Sequence, residues 1–259
     1  MEITYPTDVA KDKVLAVQDY AGLSWQSLAN VFRRPRYVAD LLQQADIIGV
    51  GSLPIVMLTG ISIGGSLALN TASTLEQFGG LSMTGQLVAV SMVTEIGPVL
   101  TALLVAGRNA SGIASELGSM RVTEQIDAMR ALGTDPAKKL VTPRVISTTV
   151  MLFFLTIISD LFGLVGGWLV SRFMLGLNTY AYWTSTYQNL TFGEVLRGLV
   201  KPVVFGFVVG TVGCFYGLTT KGGTRGVGIS TTQAVVASSI LVIVLDFFIT
   251  RLLLVFWPT

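Results

Sequence analysis

The sequence predicts an all-α, polytopic membrane protein. It comprises an N-terminal interfacial helix, five transmembrane helices and a short cytosolic helix. Three observations predict it. Of 259 residues, 51 % are hydrophobic and only 12 % charged, where a soluble domain carries about a quarter charged. Mean hydropathy is +0.68. The apolar residues gather into five runs, each long enough at about 1.5 Å per residue to cross a hydrocarbon core.

Residues 1–46 form the first division. Residues 1–10 read as a loose tail. Val14, Val17, Leu23, Leu28 and Val31 then recur at roughly helical spacing. Tyr20 and Trp25 suit a headgroup boundary, and Lys11, Lys13, Arg33 and Arg34 suit phosphates. That describes an interfacial helix; a helix packed on the protein's own core fits the same pattern. Pro35 is its expected stop, and residues 38–44 read as a short amphipathic lead-in.

Residues 47–259 form the transmembrane division. The first span covers 47–72, with Pro54 as a possible kink and Gly60 and Gly64 as a small-xxx-small pair that admits a neighbouring helix. Residues 73–84 read as a loop or short re-entrant piece. The second span covers 86–114 and contains Glu95, Pro98 and Arg108. Glu95 and Arg108 lie about 20 Å apart along an ideal helix, so each needs its own partner. The third span covers 145–175, with Asp160 near its middle beside Gly163, Gly166 and Gly167. Residues 176–194 are a polar connection whose Tyr180, Tyr182, Trp183 and Tyr187 suit a membrane interface. The fourth span covers 195–218, opened by Arg197 and Lys201. Residues 219–229 read as a flexible turn. The fifth span covers 232–256 and contains Asp246, with Trp257 near its end. A topology of three or four spans, with the first or third run re-entrant, is the alternative.

Between the second and third spans lies a polar, helical stretch, residues 116–136. Glu124, Asp127, Arg130 and Ala131 share one side of it, and Val122, Ile126 and Met129 another. Gly133 and Pro136 suit its end. The coupling helix is expected at about 119–133. Five spans put this stretch on the N-terminal side, which holds 12 of the 17 basic residues. The excess of positive charge places the N-terminus and the polar helix in the cytosol and the C-terminus outside.

The composition excludes several functions. There is no histidine and one cysteine, Cys214, which removes a disulfide framework, a cysteine metal site and the commonest proton shuttle. A net charge of +2 does not suggest nucleic acid. No Walker-type loop appears, and a serine nucleophile would have only Lys201 near a span as its base. Neither a metal nor a directly bound cofactor is expected. A polar helix between spans suits the permease of an ATP-driven transporter; on pattern alone an ordinary cytosolic loop helix is the readier account.

Residues 95–136, EIGPVLTALLVAGRNASGIASELGSMRVTEQIDAMRALGTDP, closely resemble the signature of the MlaE (YrbE) family. The likeness extends more weakly from about Arg33 to the C-terminus, including the pattern over 238–250. The family consists of permeases of lipid ABC transporters that act with MCE-domain proteins. The resemblance implies an inner-membrane permease paired with a second copy of itself, moving phospholipid towards or from the outer membrane. It also implies a cytosolic ATPase dimer that holds ATP and Mg, a hexameric MCE-domain protein outside, and in the Mla branch a STAS-domain protein. It assigns a lipid-cavity wall to Leu67, Leu75, Phe78, Thr94 and Glu95. It assigns ATPase coupling to Val122, Glu124, Gln125, Ile126, Asp127, Met129, Arg130 and Leu132. Thr94 departs from the family pattern, where arginine often precedes the glutamate and can meet a phosphate. Glu95 reads either as a polar point in that cavity or as a partner for a hydroxyl or base on another span. Arg108 and Glu116 are expected to hold the root of the polar helix, and Asp160 and Asp246 to join helices. An ion-coupled secondary transporter, a lipid-modifying enzyme and a non-transporting scaffold are the rival classes.

Overall fold

The computed structural model describes residues 6–31 and 37–256, with side chains from residue 14 onward. Pro35 as a helix stop, Arg33, Arg34, Arg36 and Trp257 lie outside the described residues, as do the side chains of Lys11 and Lys13. The described residues are helical, with no strand. In chain order they form α1 (Pro6–Val31), α2 (Val38–Glu76), α3 (Thr84–Ser91), α4 (Gly97–Val105), α5 (Ser111–Val122), α6 (Gln125–Ala131), α7 (Thr142–Phe173), α8 (Thr179–Asn189), α9 (Phe192–Leu218) and α10 (Gly223–Phe256). Five stretches are long and apolar enough to span a membrane: Val38–Glu76, Leu81–Val122, Ala137–Phe173, Phe192–Leu218 and Gly223–Phe256.

Each span runs further than its apolar core. The expected lead-in at 38–44 is the first turns of α2, and the expected loop after it shrinks to a turn ending in a 3₁₀ segment, Leu81–Met83. The flexible stretch at 219–229 is helical from Gly223. Backbone groups near hydrocarbon have no water to bond, so the helix is the cheapest continuation until water is reached. The polar connection at 176–194 also folds, into α8. Asn178 accepts the Tyr180 N–H at 2.9 Å as its cap. Tyr182 turns inward and donates to the Leu164 carbonyl at 3.1 Å, while Tyr180 and Tyr187 stay exposed.

Glycine contacts set the helix order. A Cβ at Gly64 would overlap the backbone of Gly163, and one at Gly166 the backbone of Ile61. The α2–α7 seam therefore closes at van der Waals contact between main chains, as the small-residue spacing predicts. On α9, Gly206 and Gly210 meet α7, and Gly213 and Gly217 meet Ala110 and Ala114. The resulting core joins Val56, Ala102, Val105, Leu152, Phe205, Val209 and Val242.

Helix α1 lies against α7 and α9. Tyr20 does not reach outward: its hydroxyl meets Thr211 Oγ1 at 2.9 Å, and its ring packs edge-on against Phe215. Val14, Val17 and Trp25 are exposed, while Ser27 and Asn30 are buried. One face of α1 packs on protein and the other is apolar and open.

Candidate functional site

The second span is helical throughout but not regular. Two five-residue π turns interrupt it, Met92–Ile96 and Ala106–Ala110. Its two interior charges, Glu95 and Arg108, sit one in each. A π turn widens the helix and frees a carbonyl, and such turns concentrate where a protein does work. At the first, Gly97 N–H bonds to the Met92 carbonyl, and Pro98 has no N–H to offer the next one. The Val93 carbonyl consequently presses on Gly198 of α9, where any Cβ would overlap it.

That turn points Glu95 at α9. Lys201 Nζ donates to Glu95 Oε2 at 2.5 Å and lies 3.0 Å from Asp246 Oδ1 on α10. The Asp246 approach is off the hydrogen-bonding direction, so that oxygen gains a charge contact and no directed bond. The Lys201 side chain is 2 % exposed, Asp246 22 % and Glu95 43 %. A buried ammonium demands counter-charge, and here two other spans supply it, one carboxylate each. Thr250 Oγ1 adds a contact to Glu95 at 3.4 Å.

Beside this triad opens a cavity of about 160 Å³. Its wall includes Val90, Thr94, Glu95, Arg197, Lys201 and Leu254. Thr94 donates its hydroxyl to Val90 O within its own helix. Arg197 is half-buried and donates Nε–H to Gly193 O at 3.4 Å. The Glu194 carboxylate closes a capping box with Thr191 at the start of α9. Leu67, Leu75 and Phe78 do not line this wall; they lie along the end of α2 and its turn, with Phe78 exposed.

A second charge cluster occupies the opposite end of the bundle. Arg144 is buried, donating to Glu116 Oε1 at 2.6 Å and to Leu140 O at 2.8 Å. Arg108 donates to Ser52 Oγ on α2 at 2.9 Å. Glu116 and Arg108 thus tie α5 and the second π turn to α7 and α2, and not to each other.

The polar helix is shorter than its sequence pattern. Val122 ends α5, Glu124 adopts φ 60°, and only Gln125–Ala131 is α6. Leu132 is the C-cap, followed by Gly133 at φ 76° with Thr134 N–H returning to Met129 O at 2.9 Å. The expected rod at 119–133 is therefore a bent joint. Arg121 donates to both Asp127 oxygens at 2.6 Å, and Arg130 to Oδ1 at 3.1 Å. These bonds, Arg121's foremost, hold the Asp127 carboxyl below its ordinary value of 3.8. Ile126 is buried among Ile113, Leu117, Leu140 and Val145. Gln125, Arg130 and Leu132 face out, and Met129 is half-buried.

Lys201 and Arg144 were the residues missed. Each had a legible signal: a base inside or at the mouth of an apolar run while carboxylates on other spans lacked partners. Asp160 is buried with Oδ1 unpartnered against Gly97 Cα. Among the described residues no cluster of acidic or cysteine side chains could hold a metal ion.

The family model for the permease MlaE matches residues 41–252. The chain belongs to the MlaE permease family. A probable ABC transporter permease protein of Rickettsia typhi is 41 % identical over 234 residues, covering 90 % of each chain. The intermembrane phospholipid transport system permease protein MlaE of Haemophilus influenzae is 33 % identical over 214 residues, covering 82 % of each. The chloroplast protein trigalactosyldiacylglycerol 1 of Arabidopsis thaliana is 33 % identical over 225 residues, 87 % of this chain and 64 % of its own. As a member of the MlaE family the chain is a multi-pass ABC-transporter permease, and the matched stretch takes in both π turns, both charge clusters and α6.

Proposed function

We propose that the chain moves phospholipid through the inner membrane as one of two permease copies, with ATP hydrolysed by a separate subunit. What carries the reading is family membership together with a charge-lined cavity placed at an irregular turn of the second span. Exposing an acyl chain to water costs about 0.8 kcal/mol per CH₂, so a lipid with two long chains needs an apolar shelter in transit. The apolar outer face of α10 suits the second copy: its most hydrophobic stretch is only 6 % buried. A cytosolic ATPase dimer engages α6, and its closure is felt through the Arg121–Asp127 clamp and the Arg144–Glu116 tie. A hexameric MCE-domain protein receives or delivers lipid outside, and a STAS-domain protein attends the ATPase. The N-terminus lies in the cytosol, and the C-terminus outside.

Cysteine-specific crosslinking from Gln125→Cys to the ATPase, in parallel with lipid transfer between vesicles, tests this. Crosslinks and ATP-dependent transfer are expected together. Transfer driven by an ion gradient without ATPase would replace the reading with a secondary transporter.

A further inference from the structure

We propose that the cavity beside the Glu95–Lys201–Asp246 triad selects a zwitterionic head group, a phosphate bearing a primary ammonium, with the phosphate on Arg197 and the ammonium on Glu95. The inference rests on the reading of the chain as a phospholipid permease and adds what that reading leaves open, the head group.

The argument is one of unspent charge. Lys201 is almost without exposure and its charge is already countered by two carboxylates, so it is poorly placed to take a phosphate as well. Arg197 sits four residues earlier on α9, one helical turn away and on the same face. Among the described residues its one hydrogen bond uses Nε, and no carboxylate pairs with it. The two terminal nitrogens are left to grip an oxyanion in the forked geometry guanidinium prefers.

Glu95 has the complementary vacancy. Oε2 accepts from Lys201, whereas Oε1 meets only the Thr250 hydroxyl at 3.4 Å, and the side chain is 43 % exposed. An ammonium group would complete it. The charged wall itself, Glu95 and Glu194 against Lys201 and Arg197, is neutral, and Asp246, which meets Lys201 without lining the cavity, brings the neighbourhood to a net −1. A head group carrying only negative charge meets a repulsive surplus there, while one with its own cation does not. A space of about 160 Å³ equals the share of about five waters, the bulk of a compact head and not of acyl chains. Thr94 supports the assignment, because its hydroxyl is spent on Val90 O and leaves Arg197 as the phosphate donor.

The test is competition on the full-length permease purified in mild detergent and read by native mass spectrometry. Equimolar phosphatidylethanolamine, its N-acetylated derivative and phosphatidylglycerol of identical chains are the probes. The expected result is retention of phosphatidylethanolamine over the other two by on the order of tenfold, the scale of one charge-assisted hydrogen bond. Arg197→Gln is expected to weaken all three alike. Acetylation alters the lipid and leaves the protein intact, so its outcome does not depend on whether any variant folds. Equal retention of the three lipids, or preference for phosphatidylglycerol, overturns the head-group assignment and leaves the permease reading standing. Retention of no lipid at all overturns both.

Discussion

Lys201 is the residue on which the upper half of the bundle depends electrostatically. Its ammonium separates two carboxylates from different spans. Replacing it by methionine keeps the volume and leaves Glu95 and Asp246 facing one another. Breaking a buried pair costs about 3–5 kcal/mol, and partial exposure of Glu95 puts the expectation at the lower end. The Lys201→Met variant should melt several degrees below the parent in a detergent thermal scan, at about 2–4 °C per kcal/mol for a chain of this size. Adding Glu95→Gln and Asp246→Asn should restore most of that loss. Asp127 behaves differently, because its carboxyl is held low by the half-buried Arg121 and the exposed Arg130. A carboxyl depressed in the folded state contributes stability that is complete above its unfolded value and lost as pH falls through the folded one. Hydrogen-exchange protection of α6 should therefore hold steady from pH 7 to about 5 and fall below about 3.9. Asp127→Asn should remove that dependence.

At the scale of elements, backbone contacts decide what sequence propensity cannot. Alanine for glycine in a helix gains roughly 0.5–1 kcal/mol where nothing obstructs it. Gly228 on α10 faces open space within the chain, whereas Gly198 on α9 lies under the Val93 carbonyl released by the first π turn. Gly228→Ala should hold or raise the melting midpoint. Gly198→Ala should lower it, at a stability cost of about 1–3 kcal/mol from overpacking. The same contrast explains how much was legible in the sequence. The number of spans followed from composition and run length, and close helix packing at Gly60, Gly64, Gly163 and Gly166 from their spacing, though not that these two sets meet each other. The end of α6 followed from Gly133. What could not be read was register between spans. Glu95, Lys201 and Asp246 belong to three helices, and no local pattern states that they lie at one depth. The π turns that aim Glu95 and Arg108 were equally hidden, since an extra residue in a helical turn leaves the apolar run unchanged.

Across the whole molecule, α6 is the part most separable from the fold. One side of it is anchored by Ile126, fully buried in a cluster that includes α7 and α9 residues. The other side ends in Leu132, which is 83 % exposed. A large apolar side chain left in water next to an ion-clamped joint is what an aromatic or aliphatic pocket on a partner would take as an anchor. The two faces predict opposite phenotypes. Ile126→Asp buries an unpaired charge and should prevent recovery of folded protein from membranes. Leu132→Asp alters only an exposed site and should shift stability by no more than about 0.5 kcal/mol. Yet it should reduce co-purification of the ATPase by on the order of tenfold, because loss of one interface anchor costs about 1–2 kcal/mol or more. Size-exclusion chromatography of the co-expressed complex, with the melting point of the permease measured alongside, separates the two. A Leu132→Asp permease that melts normally and still carries a full complement of ATPase would place the drive for transport somewhere other than this joint.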